Sequence, residues 1–162
     1  MSTPTPERWT QLWRAVAKEP APAGSYERLA DMYSEPHRRY HNLAHIADSL
    51  TEFDRARDLA REQMAVELAI WFHDAVYDTR AADNEELSAR LAQTWLGEAR
   101  AEPALMDAMG RLILATKKHD ASQHVDAALL VDIDLSILGH PRSEPGKEPI
   151  RRDKPRRTNY KK

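Results

Sequence analysis

Between Arg61 and Tyr77 the chain is apolar nearly all the way round a helical wheel. Val66, Leu68, Ala69, Ile70, Trp71, Phe72, Ala75 and Val76 leave almost no polar face. A helix of that kind is stable only when other elements cover it on every side, so residues 61–77 predict a central helix inside a shell. The shell is helical as well. Apolar residues recur close to every 3.6 positions along the body, and no run alternates long enough to define a strand. The expected fold class is all-α.

Seven helices account for residues 1–140. Pro6 opens the first, with Trp9, Leu12, Trp13 and Val16 on one face, and it stops before Pro20. Ser25 is suited to cap the second, which carries Leu29, Met32 and Tyr33 and ends at Pro36. A third runs from about Asn42 towards Leu59, burying Ile46, Leu50 and Phe53, and the fourth is the central segment. Asp83 or Asn84 caps a fifth with Leu87, Leu91 and Trp95, closed near Gly97. Pro103 starts a sixth through Leu105, Met109, Leu112 and Ile113 to about His119. The seventh spans Val125 to Leu138, with Gly139 and Pro141 behind it.

At 162 residues the chain fits one domain. A mean hydropathy of -0.71 and the lack of any run near the roughly 20 apolar residues of a membrane helix exclude a spanning segment. There is no cysteine, hence no disulfide, thiolate ligand or cysteine nucleophile. The start MSTPTPERW lacks the basic and apolar regions of a secretory signal, so a cytoplasmic location is expected. Residues 141–162 hold nine Lys/Arg against three Asp/Glu, a net of +6, which leaves -8 on residues 1–140. Ile150 and Tyr160 are the only apolar residues of that segment, and four of the ten prolines fall in it. Such a composition buries too little surface to offset ordering entropy. It is expected to be a basic, disordered tail, with nucleic acid not expected as a partner.

Polar residues that interrupt the apolar pattern carry the chemistry. His73 and Asp74 lie in the most hydrophobic helix, where an unpaired carboxylate costs several kcal/mol unless a cation or hydrogen bonds satisfy it. His41 and His45 are spaced i, i+4 and share a helix face. That spacing suits a divalent ion, or one ligand beside one proton donor, and equally a pair of surface histidines at a helix start. Asp132 and Asp134 interrupt the seventh helix. Two positions apart they diverge by roughly 200°, so only one of them can face a given centre. The absence of a Glu-x-x-His pair argues against a di-iron bundle, and the absence of HExxH excludes a zincin.

The order His45, His73-Asp74, Asp134 resembles the HD superfamily of metal-dependent phosphohydrolases. YHNLAHIADSL is similar to the start of the cyclic-nucleotide phosphodiesterase site. The strings RRYHNLAHI, WFHDAVYD, DNEELSA, ATKKH and DIDLSILG together resemble a bacterial group of small predicted HD phosphohydrolases over about residues 7–140. The resemblance implies an HD-type helical bundle with His45, His73, Asp74 and Asp134 as metal ligands and His119 as a further ligand. His41 is then the proton donor to the leaving oxygen, with Glu85 and Asp78 as residues that orient or deprotonate water. Arg38, Arg39, Lys117 and Lys118 would meet phosphate.

Two imidazoles and two carboxylates suit Mn, Fe, Co, Ni, Zn or Mg, as one ion or two, rather than calcium. The implied activity is hydrolysis of a phosphate ester or anhydride of a nucleotide or related small metabolite. His37, His124 and His140 receive no role. Members of that group continue past the ILG segment with further helices, whereas this chain turns into SEPGKEPIRRDKPRRTNYKK. A shortened or frame-shifted reading explains that departure. It implies exposed apolar surface, self-association into a homo-oligomer, and an alternative in which the chain is a catalytically impaired metal- or nucleotide-binding module.

Overall fold

The computed structural model describes residues 4–118 and 124–138, so the expected ligand His119 and the basic tail at 141–162 lie outside the described residues. Seven α-helices form among the described residues, without a strand: α1 Pro6–Val16, α2 Ser25–Tyr33, α3 Leu43–Ala56, α4 Gln63–Phe72, α5 Asn84–Glu98, α6 Pro103–Lys118 and α7 Val125–Leu138. A single 3-10 turn, Arg57–Leu59, follows α3. The all-α expectation holds. No helix among the described residues is long and apolar enough to cross a membrane.

Helix α4 is the centre. It packs against α1, α3, α5, α6 and α7, and every residue from Ala65 to Phe72 is buried. Each large apolar side chain taken out of water there contributes about 1.5–3 kcal/mol. An aromatic cluster joins α1 to α4: the Trp9 ring lies 5.2 Å from Trp71, 5.7 Å from Phe72 and 5.4 Å from Trp13. The indole Nε1 of Trp9 donates to Ser25 Oγ at 3.0 Å, and the Tyr33 hydroxyl donates to the Trp71 carbonyl at 2.9 Å, which fixes α2 on the same surface.

The helix starts differ in instructive ways from the sequence expectation. Thr5 and Asn42 cap α1 and α3 through their side chains. Ser25 does not cap α2: it is the first helical residue, its hydroxyl is taken by Trp9, and Gly24 occupies the cap in a left-handed conformation (φ 67°) open to glycine. No side chain of its own caps α4. The fully buried carboxylate of Asp126, from α7, accepts from the backbone N–H of Arg61 at 2.8 Å and of Glu62 at 2.9 Å, which fastens α7 to the start of the central helix. Helix α5 buries Ser88, Ala89, Ala92, Trp95 and Leu96 instead of the Leu87 and Leu91 stripe. Small residues on that face let α6 approach closely. After α5, Arg100 sits at φ 56° with the Ala101 N–H bonded to the Leu96 carbonyl, a left-handed helix ending that glycine adopts free of steric cost.

Candidate metal centre

Helix α4 ends at Phe72, five residues earlier than its apolar pattern suggests, with His73 as the C-cap. The residues expected inside the helix therefore occupy its end and the turn beyond, where side chains from separate elements can meet. The stop comes from outside the segment. The Arg38 guanidinium, in the loop before α3, donates to the carbonyls of Asp74 at 2.6 Å and Ala75 at 2.9 Å, satisfying acceptors that a longer helix would have used internally. From the other side Ser88 Oγ accepts from the Val76 N–H at 3.0 Å.

Around this turn four donor atoms converge. His45 Nε2, on α3, lies 3.3 Å from His73 Nε2, 3.0 Å from Asp134 Oδ1 on α7 and 3.9 Å from Asp74 Oδ2. His73 Nε2 lies 3.2 Å from Asp74 Oδ2 and 3.5 Å from Asp134 Oδ1. Ligands about 2.1 Å from one ion stand about 3.0 Å apart at a right angle and about 3.4 Å apart at a tetrahedral angle. The separations fall on that scale. His45, His73 and Asp134 are buried, and they could hold a metal ion; so could the overlapping group His41, His45 and Asp74.

The chemistry of the donors fits a cation. His73 Nδ1–H donates to the Ile70 carbonyl at 2.9 Å, which fixes the tautomer of the neutral ring and directs a bare Nε2 at the cluster. Two imidazole nitrogens 3.3 Å apart beside two carboxylates call for a shared positive charge. In the absence of an ion a proton supplies it. Burial works to discharge His73, but the Asp74 charge and the bonds to Asp134 and Asp74 outweigh it and hold the imidazole well above its ordinary pKa. Burial likewise acts to raise Asp74, yet the charge on His73 and the bond from His41 keep it well below the carboxylate range. Asp134, against its own burial, is lowered by hydrogen bonds from His45 and His73.

These shifts set a pH dependence. The contribution of raised His73 is complete below the unfolded histidine pKa of about 6.5 and is lost as pH rises through its elevated folded value. The contribution of the two lowered carboxylates is complete above about pH 4 and is lost on acidification. With chelator present, the melting temperature should therefore decline on both the acid and alkaline sides. A saturating divalent cation, which takes over the role of the His73 proton, should remove the alkaline decline. Identical alkaline profiles with and without cation would contradict this account.

His41 stands at the rim of the cluster, its Nδ1 donating to Asp74 Oδ2 at 2.6 Å. That bond, ahead of the opposing burial, raises its pKa. Tyr77 packs beside it with ring centroids 4.7 Å apart. Of the two aspartates in α7, Asp132 is exposed and Asp134 faces the histidines. The remaining expected residues that are described do not join the cluster. Asp78 is exposed and its carboxylate accepts from the Arg80 N–H at 2.9 Å. Glu85 is half-buried in the first turn of α5. Lys117 is bound to Glu86 at 2.6 Å and to the Ala82 carbonyl at 2.5 Å, while Arg39 and Lys118 are exposed. Arg38, expected to meet phosphate, turns inward. His37 Nε2 lies 3.1 Å from the Tyr77 carbonyl, and His124 Nδ1 accepts from the Asp126 N–H at 3.3 Å. Sequence reasoning missed Tyr77, Glu67 and Asp126. The signal for the two acids was available, since each is an acidic residue in an apolar helical run.

Fold and site define an all-α protein with a buried two-histidine, two-carboxylate cluster. No family model, no curated protein and no solved structure matches the chain.

Proposed function

We propose that the chain is a metal-dependent hydrolase of a phosphate ester or anhydride of a nucleotide or related small metabolite, built on an HD-type bundle. The observation that carries this reading is the convergence of His45, His73, Asp74 and Asp134 from α3, the end of α4, and α7 with spacings of coordinating atoms. His45, His73, Asp74 and Asp134 would hold a divalent ion such as Mn, Fe, Co, Ni, Zn or Mg, which would supply Lewis-acid chemistry and a more acidic water.

The chain's own groups supply the rest. His41 is oriented by Asp74 through Nδ1, and that bond raises its pKa, which favours the ring that also carries a proton on Nε2. Its side chain is 31 % exposed, enough to reach a bound substrate. That proton goes to the leaving oxygen, a role worth roughly 10²–10⁴-fold in rate. Burial of His45, His73 and Asp134 keeps bulk water off one side of the centre and strengthens its electrostatics. Of the two acids offered by the resemblance for orienting water, Asp78 is engaged in its own turn and Glu85 stands outside the cluster, so neither is given that role.

The test is turnover of p-nitrophenyl phosphate, bis(p-nitrophenyl) phosphate and a nucleotide panel with each cation in turn. Hydrolysis that stops with chelator and returns with a cation is expected. Stoichiometric metal without turnover of any substrate would favour the binding module, and a protein that takes up no metal would end the proposal.

A further inference from the structure

The residues that make up the cluster are not all anchored equally. His45 and Asp134 ride on helices, and His73 caps one. His41 and Asp74 have no such support. His41 lies in the bend before α3 and Asp74 in the turn after α4, yet their side chains meet at 2.6 Å and carry the contact between proton donor and ligand. A contact of that length between two non-helical segments needs something that fixes both backbones.

One side chain touches both. Arg38 Nη1 donates to the Asp74 carbonyl at 2.6 Å and to the His41 carbonyl at 3.2 Å, while Nη2 donates to the Ala75 carbonyl at 2.9 Å. Nε is held by Glu35 at 2.9 Å. The guanidinium carbon lies 5.2 Å from the Tyr33 ring centre and 5.4 Å from that of Tyr77, and the side chain is 1 % exposed. Only a planar fork with several fixed donors can bridge three carbonyls in this way; a lysine ammonium cannot. A group so enclosed is also out of reach of a phosphate in solution.

We infer that Arg38 is a positioning residue of the metal centre, which sets the aim of the Asp74 carboxylate and the His41 ring by clamping their two backbone segments together. This rests on the metal reading above. Groups that orient ligands without touching the ion change metal affinity by roughly 10–100-fold when removed. Arg38→Ala and Arg38→Lys should both weaken Co²⁺ binding on that scale, measured by calorimetry on the full chain.

At saturating Co²⁺ the visible absorption bands of both variants should differ from wild type, because the coordination geometry has changed. Mere loss of stability would not alter those bands. Added guanidinium, at millimolar concentrations below those that denature, should restore the wild-type spectrum in Arg38→Ala. If Arg38→Ala fails to fold, Arg38→Lys, which keeps the charge and the stem, decides the matter. Wild-type affinity and spectrum in a folded variant would overturn the inference while leaving the metal reading intact. A wild-type protein that does not bind Co²⁺ would overturn both.

Discussion

Asp74→Ala is expected to remove metal binding and hydrolysis together while leaving the helices in place. The side chain stands between two functions. Its Oδ2 lies 3.2 Å from His73 Nε2 and 2.6 Å from His41 Nδ1, so on the proposed reading truncation deletes a ligand and releases the ring that would give up a proton. Removing groups that merely orient ligands costs roughly 10–100-fold in affinity, and deleting a donor should exceed that. The loss of an oriented acid alone removes roughly 10²–10⁴-fold in rate. The turn itself survives, because the bonds from Arg38 go to the backbone carbonyl of residue 74 and are independent of its side chain. Metal content by elemental analysis, circular dichroism and turnover on the same sample test the three parts. Full metal occupancy in folded Asp74→Ala would contradict the ligand assignment.

The largest effect on stability is expected at a residue remote from any chemistry. Glu67 lies inside the central helix, 4 % exposed, and is satisfied by two cations: Arg8 Nε at 2.7 Å and Arg57 Nη2 at 2.5 Å. Arg8 also pairs with Asp54 through both terminal nitrogens, at 2.8 and 2.9 Å. The network ties α1, α3 and the 3-10 turn to α4. Glu67→Ala takes the buried partner from two guanidinium groups that stay partly exposed and keep Asp54 as a second partner, and it should cost about 1.5–3 kcal/mol, the range for hydrogen bonds to charged groups. For a chain of this size that amounts to a fall in melting temperature of about 3–12 °C. Glu67→Met combined with Arg8→Met should recover part of the loss, since apolar replacement of both members of a buried pair is tolerated better than of one, and it leaves Arg57 and Asp54 to each other at 3.2 Å. A change below about 1 kcal/mol in chemical denaturation of Glu67→Ala would mean the network is solvated and contributes little.

Local signals in the sequence located the helices well. The boundaries of α1 and α7 follow from Pro6 and from the apolar run that starts at Val125, and the central place of α4 follows from its lack of a polar face. Local reasoning failed where the determinant is distant in sequence. Nothing within residues 61–77 says that the helix stops at Phe72, because the group that donates to the carbonyls of the turn is Arg38, and nothing near Glu62 says that Asp126 caps it. Five of the expected site residues, His41, His45, His73, Asp74 and Asp134, stand together. His73, Asp74 and Asp134 were legible because charged groups in apolar runs must find partners, whereas His41 and His45 were legible from their spacing, although His41 stands in the bend before α3 and not on the helix. Asp78, Lys117 and Arg38 were assigned by type and neighbourhood, and for surface or loop charges those do not fix direction. Each has found a nearer partner: its own turn, an acid on α5, and the backbone of the cluster.

Asp134 enters from α7, which reaches the start of the central helix through Asp126 and lies some ninety residues beyond His45 in the chain. During synthesis the ribosome has therefore released His45, His73 and Asp74 well before the fourth donor exists. Until α7 docks, a nascent chain offers only a partial, open set of donors. An ion held by all four would therefore be selected late, by the finished protein and the cellular pool it meets, rather than by the order in which its parts emerge.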